Sequence, residues 1–158
     1  MTEKTNEELN RQWFAFYVDE LENRPENYKK FDKYFLCPCC YFPTLTERHG
    51  FEICSLCNWE DDGQDDHNAD KVLGGPNKSY SLTEARQNFK SYLTSYRPSD
   101  TYHFERTTLK ITSNKNRTFQ LLELKKLIMD QYNLAIKSSN SKERTQYLKD
   151  ANKLEKLL

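Results

Sequence analysis

The sequence predicts an α+β fold: a small cysteine-anchored β-hairpin module and a following helix, flanked by an N-terminal helix and a C-terminal helical hairpin. Three observations predict it. All five cysteines lie in two tetrapeptides, Cys37-Pro38-Cys39-Cys40 and Cys54-Ser55-Leu56-Cys57. Short β-branched and aromatic runs flank them. Outside that segment, apolar residues recur at helical spacing behind capping signals.

The cysteines come first because they constrain most. Cys37/Cys40 and Cys54/Cys57 are two Cys-x-x-Cys pairs separated by thirteen residues. A thiolate pair at that spacing can point both sulfurs at one ion from a tight turn. Two such turns facing each other complete a tetrahedral four-sulfur zinc site, so the hairpin module is expected to be zinc-ribbon-like with one structural zinc ion. Four thiolates leave no open position for water, which argues against catalytic zinc. Cys39 sits between ligands; it could replace Cys40, pack against the hairpin, or stay a free thiol. The competing readings are a group of reduced core cysteines and a thiol–disulfide site, though the latter usually shows a single Cys-x-x-Cys after a strand.

Composition fits a stapled module. Only 36% of the 158 residues are hydrophobic, with ten tyrosines and nine phenylalanines among them, and the mean hydropathy is -0.97. The core must be thin and aromatic-rich, and a metal compensates for such a core. No stretch is long and apolar enough to span a membrane, and residues 1–8 are polar, so a cytoplasmic protein with reduced thiols is expected. The zero net charge hides an asymmetry: the first hundred residues sum to -6 and the last fifty-eight to +6.

In chain order, residues 1–30 are read as an N-terminal helix, 31–98 as the cysteine-rich module and 99–158 as a helical extension. Thr5 and Glu8 form a capping box ahead of the stripe Leu9, Trp13, Phe16, Tyr17 and Leu21, with Pro25 as the stop. That stripe is expected to dock on the module. Residues 28–36 enter it as a short strand. Residues 44–48 and 50–53 read as a hairpin turning near His49-Gly50 and delivering Cys54. Asn58, after the second cysteine turn, suits a left-handed backbone; Tyr41, its counterpart, suits it less. Trp59 is expected to cover the metal turn. Gly74-Gly75-Pro76-Asn77 is a loop, and Ser81 with Glu84 is a second capping box opening a helix with Leu82, Ala85, Phe89, Leu93 and Tyr96 on one face. Residues 101–112 are read as a strand, 118–137 as a long helix, and Ser141 as the cap of a last helix carrying Tyr147, Leu148, Ala151, Leu154 and Leu158.

Between Trp59 and Asp70, six of twelve residues are carboxylates: Glu60, Asp61, Asp62, Asp65, Asp66 and Asp70. Their spacing does not match a twelve-residue calcium loop, and no nucleophile or base stands beside them for acid–base chemistry. They read either as an electronegative surface that meets a partner or as a solvated loop whose carboxylates cap local turns. His67, beside Asp65 and Asp66, reads as an exposed residue or a metal ligand. Arg86 is placed to pair with this loop. The basic residues of the tail, among them Lys125 and Lys126, are spread around helices that also carry acids and read as a solvated face.

The middle of the chain resembles the bacterial cysteine-rich CPCC domain family. The resemblance rests on Cys37-Pro38-Cys39-Cys40, Phe51-Glu52-Ile53-Cys54-Ser55-Leu56-Cys57, the run from Trp59 through Asp65, Gly74-Gly75-Pro76-Asn77, and the run from Ser81 through Phe89. It covers roughly residues 36–95, with Tyr41 where the family usually has glycine. It implies a zinc-binding module without an established activity, found in bacterial toxin-immunity neighbourhoods. The preferred expectation is therefore a non-enzymatic immunity protein that neutralises a cognate protein toxin, with no membrane partner, through Glu60, Asp61, Asp62, Asp65, Asp66 and Asp70. The alternative is a zinc-ribbon nucleic-acid or transcription-associated module, which the basic tail favours and the acidic centre opposes. A hydrolase or redox enzyme ranks last, because no complete site is visible.

Overall fold

The computed structural model describes residues 4–22, 27–109, 111–114 and 117–158; the proposed stop at Pro25 lies outside them. Among the described residues the architecture is α+β: five α-helices and two small antiparallel hairpins, in the order α1 (Asn6–Glu22), β1 (Lys30–Phe31), β2 (Tyr34–Phe35), α2 (Leu82–Tyr92), α3 (Thr101–Thr108), β3 (Ile111–Asn114), β4 (Arg117–Gln120), α4 (Leu121–Lys137) and α5 (Ser141–Glu155).

Helix α1 starts where its capping box places it. The Thr5 N–H donates to Glu8 Oε2 at 2.8 Å, and the Glu8 N–H returns to Thr5 Oγ1 at 3.3 Å, which satisfies two donors that the first turn would otherwise leave open. Its aromatic stripe docks on the module. Trp13 and Tyr17 stack at 5.3 Å, and both rings meet Phe51. The approach is close enough to require glycine. At Gly74, with φ +82°, a Cβ would fall 2.8 Å from the Leu9 carbonyl oxygen, and at Gly75 it would enter the Trp13 indole. Phe14 and Val18 face outward from the same helix.

The hairpin nearest the cysteines is tighter and earlier than the sequence suggests. β1 and β2 pair Lys30 with Phe35 and Phe31 with Tyr34, and Asp32 takes φ 56° in the turn. Residues 44–48 and 50–53 do not pair as a ladder. Leu45 bridges back to Phe35, and Ile53 bridges forward to Glu60. The reason is a side-chain competitor: Glu52 accepts the Thr46 N–H at 2.7 Å and the Thr46 hydroxyl at 2.9 Å, closing the turn in place of strand hydrogen bonds.

Helix α2 is capped by Ser81, whose Oγ accepts the Glu84 N–H at 3.0 Å. The reciprocal half of that box is absent because the Glu84 carboxylate is taken by Arg97, at 2.6 Å from Nε and 2.9 Å from Nη2. Residues 101–108, expected as strand, are helix α3; its Thr107 and Thr108 hydroxyls donate back to carbonyls one turn earlier, at 2.8 Å to His103 and 2.6 Å to Phe104, which lets β-branched residues sit in a helix end. The long helix expected from Thr118 begins at Leu121, because Arg117–Gln120 pairs with Ile111–Asn114. The cap of α5 is Asn140, not Ser141: its Oδ1 accepts the N–H groups of Lys142 and Glu143 at 2.9 and 3.2 Å.

One core joins the cysteine module to the C-terminal hairpin. The five cysteines, Leu45, Leu56, Trp59, Leu82 and Phe89 pack in the same cluster as Leu124, Ile128, Tyr132, Leu148 and Ala151. Phe42 lies against Tyr132 at 5.9 Å, and Ser55 Oγ donates to Glu155 at 3.1 Å. No described helix is long and apolar enough to cross a membrane.

Candidate metal centre

Two equivalent turns build the centre. In the first, the Cys37 N–H donates to Phe42 O at 2.9 Å and the Tyr41 N–H to Cys37 O at 2.8 Å. In the second, the Cys54 N–H donates to Trp59 O at 2.9 Å and the Asn58 N–H to Cys54 O at 2.9 Å. The residue after each second cysteine is left-handed, Tyr41 at φ 62° and Asn58 at φ 67°. Asparagine tolerates that region and tyrosine does so at a cost, so the first turn keeps its geometry despite its residue type.

The turns bring Cys37, Cys40, Cys54 and Cys57 together, with their sulfurs all within 4.8 Å of one another. The Cys37–Cys57 and Cys40–Cys54 Sγ separations are both 3.6 Å. A tetrahedral ion with metal–sulfur bonds of about 2.3 Å requires sulfurs about 3.8 Å apart, so the donor set fits. It is also closed: Cys37, Cys54 and Cys57 are fully buried, and Cys40 nearly so. Hydrogen-bond donors and a hydroxyl reach the sulfurs from outside, Thr44 Oγ1 at 3.0 Å from Cys54 and the Trp59 N–H at 3.4 Å from Cys57. Burial pushes the Cys37, Cys40 and Cys57 thiols well up; Cys54 is held well below the usual thiol range, because hydrogen bonds from its three neighbours outweigh burial. A full set of four thiolates in so dry a place calls for a cation. Cys39 is buried and stands outside the quartet, its thiol within hydrogen-bond reach of Cys57. Trp59 is buried beside the second turn.

The acidic run does not form one surface. Asp61 and Asp62, expected to face a partner, are inside, at 1% and 0% exposure. Asp61 accepts Arg48 Nε at 2.9 Å and the His49 N–H at 2.8 Å. Asp62 accepts the Gln64 N–H at 3.0 Å and Asn77 Nδ2 at 3.2 Å, and burial pushes its carboxyl up to about 6. Asp65 takes Arg48 Nη1 at 3.1 Å and caps a 3-10 turn, Asp66–Asn68. The carboxylates thus satisfy turn N–H groups and one buried guanidinium, which is why a chain with a thin core needs so many of them here. Glu60, Asp66 and Asp70 remain on the outside or at its edge. Asp66 pairs with Arg86 at 2.7 Å, which holds its carboxyl below the usual range. Arg86 also donates through Nε to the Pro38 carbonyl at 2.9 Å, tying the acidic loop to the first cysteine turn. His67 meets Glu20 at 3.3 Å.

Three features escaped the sequence reading. Arg48 is buried. Glu20 is buried between His67 and His49, whose Nε2 also meets the Tyr28 hydroxyl. Lys125, read as part of a solvated face, is 1% exposed. Its ammonium donates to Leu93 O at 2.7 Å, Thr107 O at 3.0 Å and Asn58 Oδ1 at 3.3 Å, all uncharged acceptors. Burial lowers it to about 8, while Cys57, Cys54 and Cys40 pull the other way. A signal for Lys125 was present: it falls in the helical stripe with Leu121, Ile128 and Tyr132, all buried.

The family model described as cysteine-rich CPCC matches residues 35–109, slightly under half of the chain, with α1, α4 and α5 flanking the matched region. No curated protein and no solved structure matches the chain.

Proposed function

We propose that this cysteine-rich CPCC domain is stapled by one structural zinc ion, and that the chain is a non-enzymatic, cytoplasmic binding protein whose partner is a cognate protein toxin that it neutralises. The observation that carries the zinc reading is the closed quartet, four buried sulfurs at tetrahedral spacing with no position for water or substrate. Among common metals, a four-thiolate donor set of this kind favours zinc. The binding reading follows from what the staple leaves exposed. Asp61, Asp62 and Asp65 are committed to the fold, so the partner-facing residues reduce to Glu60, Asp66 and Asp70, where charge can steer a basic partner.

Metal analysis of the purified chain should return one zinc per molecule. Co-purification from the native host should recover a protein whose growth inhibition the chain relieves. Reversing Asp66 and Asp70 to lysine should weaken that capture while leaving zinc content unchanged. Protection that survives both reversals would discard this acidic surface, and a chain that purifies without metal would discard the staple.

A further inference from the structure

The two cysteine turns are braced differently at matching positions. In the first turn, the residue after the leading cysteine is Pro38, and its carbonyl accepts Arg86 Nε at 2.9 Å. The residue after the closing cysteine is Tyr41, and the same guanidinium lies over its ring, 5.0 Å from the centroid. Arg86 belongs to α2, inside the residues matched by the family model. In the second turn the matching residues are Ser55 and Asn58. Ser55 Oγ donates to Glu155 Oε2 at 3.1 Å, and Asn58 Oδ1 accepts the Lys125 ammonium at 3.3 Å. Both partners come from the C-terminal hairpin α4–α5, outside the matched residues. The module thus braces one turn, and the C-terminal extension braces the other.

Glu155 also ties the two turns together. Its other carboxylate oxygen, Oε1, accepts the Tyr132 hydroxyl. Tyr132 is fully buried, and its ring lies 5.9 Å from that of Phe42. Phe42 in turn accepts the Cys37 N–H through its carbonyl at 2.9 Å. A path of contacts therefore runs from Cys37 through Phe42, Tyr132 and Glu155 to Ser55, next to Cys54, without passing through a sulfur. Charge does not explain the carboxyl, because a carboxylate beside a thiolate centre is repelled by it. What Glu155 offers is acceptor geometry. One oxygen serves the buried hydroxyl of α4, and the other serves the hydroxyl between the two ligands of the second turn.

We infer that Glu155 is a positioning residue for the metal centre, holding the second cysteine turn through the Ser55 hydroxyl at the separation from the first that the ion requires. The inference rests on the zinc reading above. Its consequence is that the C-terminal hairpin completes the centre. The family module carries all four ligands, and Glu155 sets one pair of them from outside it.

The test is zinc affinity by chelator competition on the full-length chain, with the visible spectrum of the cobalt(II)-substituted protein reporting ligand geometry. Ser55→Ala and Glu155→Ala should each weaken zinc about tenfold and shift the cobalt bands. The double variant should bind about as weakly as the weaker single one, because both changes break the same contact. Glu155→Gln keeps an acceptor for Ser55 and should stay within about threefold of the parent. Asn140→Ala removes the α5 cap without touching either turn and should leave affinity and bands unchanged. If Glu155→Ala folds poorly, Ser55→Ala and Glu155→Gln still decide. Parent-like zinc affinity and cobalt bands in Ser55→Ala would overturn the inference while the zinc reading stands. So would an equal loss in Asn140→Ala, which would mark the general stability of the hairpin as the cause. A parent chain that binds neither metal would overturn the zinc reading and this inference with it.

Discussion

Replacing Lys125 by methionine separates the cost of a buried charge from its use. In the metal-free chain the ammonium is held at about 8 against an ordinary 10.5, a difference worth about 3 kcal/mol at about 1.4 kcal/mol per unit. The folded state binds fewer protons than the unfolded state between those two values. The penalty is therefore complete below about pH 8 and fades as pH rises towards about 10.5. Methionine removes that penalty, but it leaves the Leu93 and Thr107 carbonyls without their donor, at about 1–3 kcal/mol each. The metal-free stability of Lys125→Met should thus lie between about 1 kcal/mol above and about 3 kcal/mol below the parent. The loaded centre behaves differently. Four thiolates around a divalent ion keep an excess of negative charge, and Lys125 is the nearby buried cation that answers it, so the variant should bind zinc about 10–100-fold more weakly. Chelator competition measures the affinity, and urea unfolding of chelated and loaded protein measures the two stabilities. Equal zinc affinity in parent and variant, with both forms destabilised alike, would refute the role assigned to Lys125.

Cys54→Ser should reduce metal content from about one ion to near none and broaden urea unfolding, read by elemental analysis and circular dichroism. Arg48→Met leaves Asp61 buried without its guanidinium and should cost about 3–5 kcal/mol in urea unfolding of the loaded chain, whereas exposed Arg11→Met should change little. Glu155, raised to about 7 by burial despite hydrogen bonds from Tyr132 and Ser55, holds its proton more tightly folded than unfolded; its contribution is fully present below its unfolded value and lost as pH rises through about 7. Loaded protein should lose about 1 kcal/mol between about pH 6 and pH 8 through this group, and Glu155→Gln should flatten that loss in urea midpoints measured across the same range.

Local features read well from the sequence because their causes are local. The Thr5–Glu8 box, the Ser81 cap, the left-handed Asn58 and the two turns Cys37–Cys40 and Cys54–Cys57 each depend on residues a few positions apart. Features set by competition read poorly. Glu52 closes the turn that looked like a hairpin, Arg97 takes the Glu84 carboxylate from its capping box, and Asp61 turns inward to Arg48. In each case a side-chain partner from outside the local pattern outbid a pattern that was visible in the chain. Residues 101–108 illustrate the same point for secondary structure: β-branched and aromatic residues suggested a strand, but Asp100 holding His103 and threonine hydroxyls bonding back along the helix favour α3.

The sequence by itself determined two matching Cys-x-x-Cys turns, because that spacing dictates turn geometry whatever surrounds it, and the four sulfurs of those turns lie close enough together to hold one ion. Only the tertiary structure decided which charges belong to that centre and which to a surface. A formal charge is the same letter whether solvated or buried. Asp61, Asp62 and Lys125 became interior groups only because packing between distant segments removed water from around them and supplied their hydrogen-bond partners.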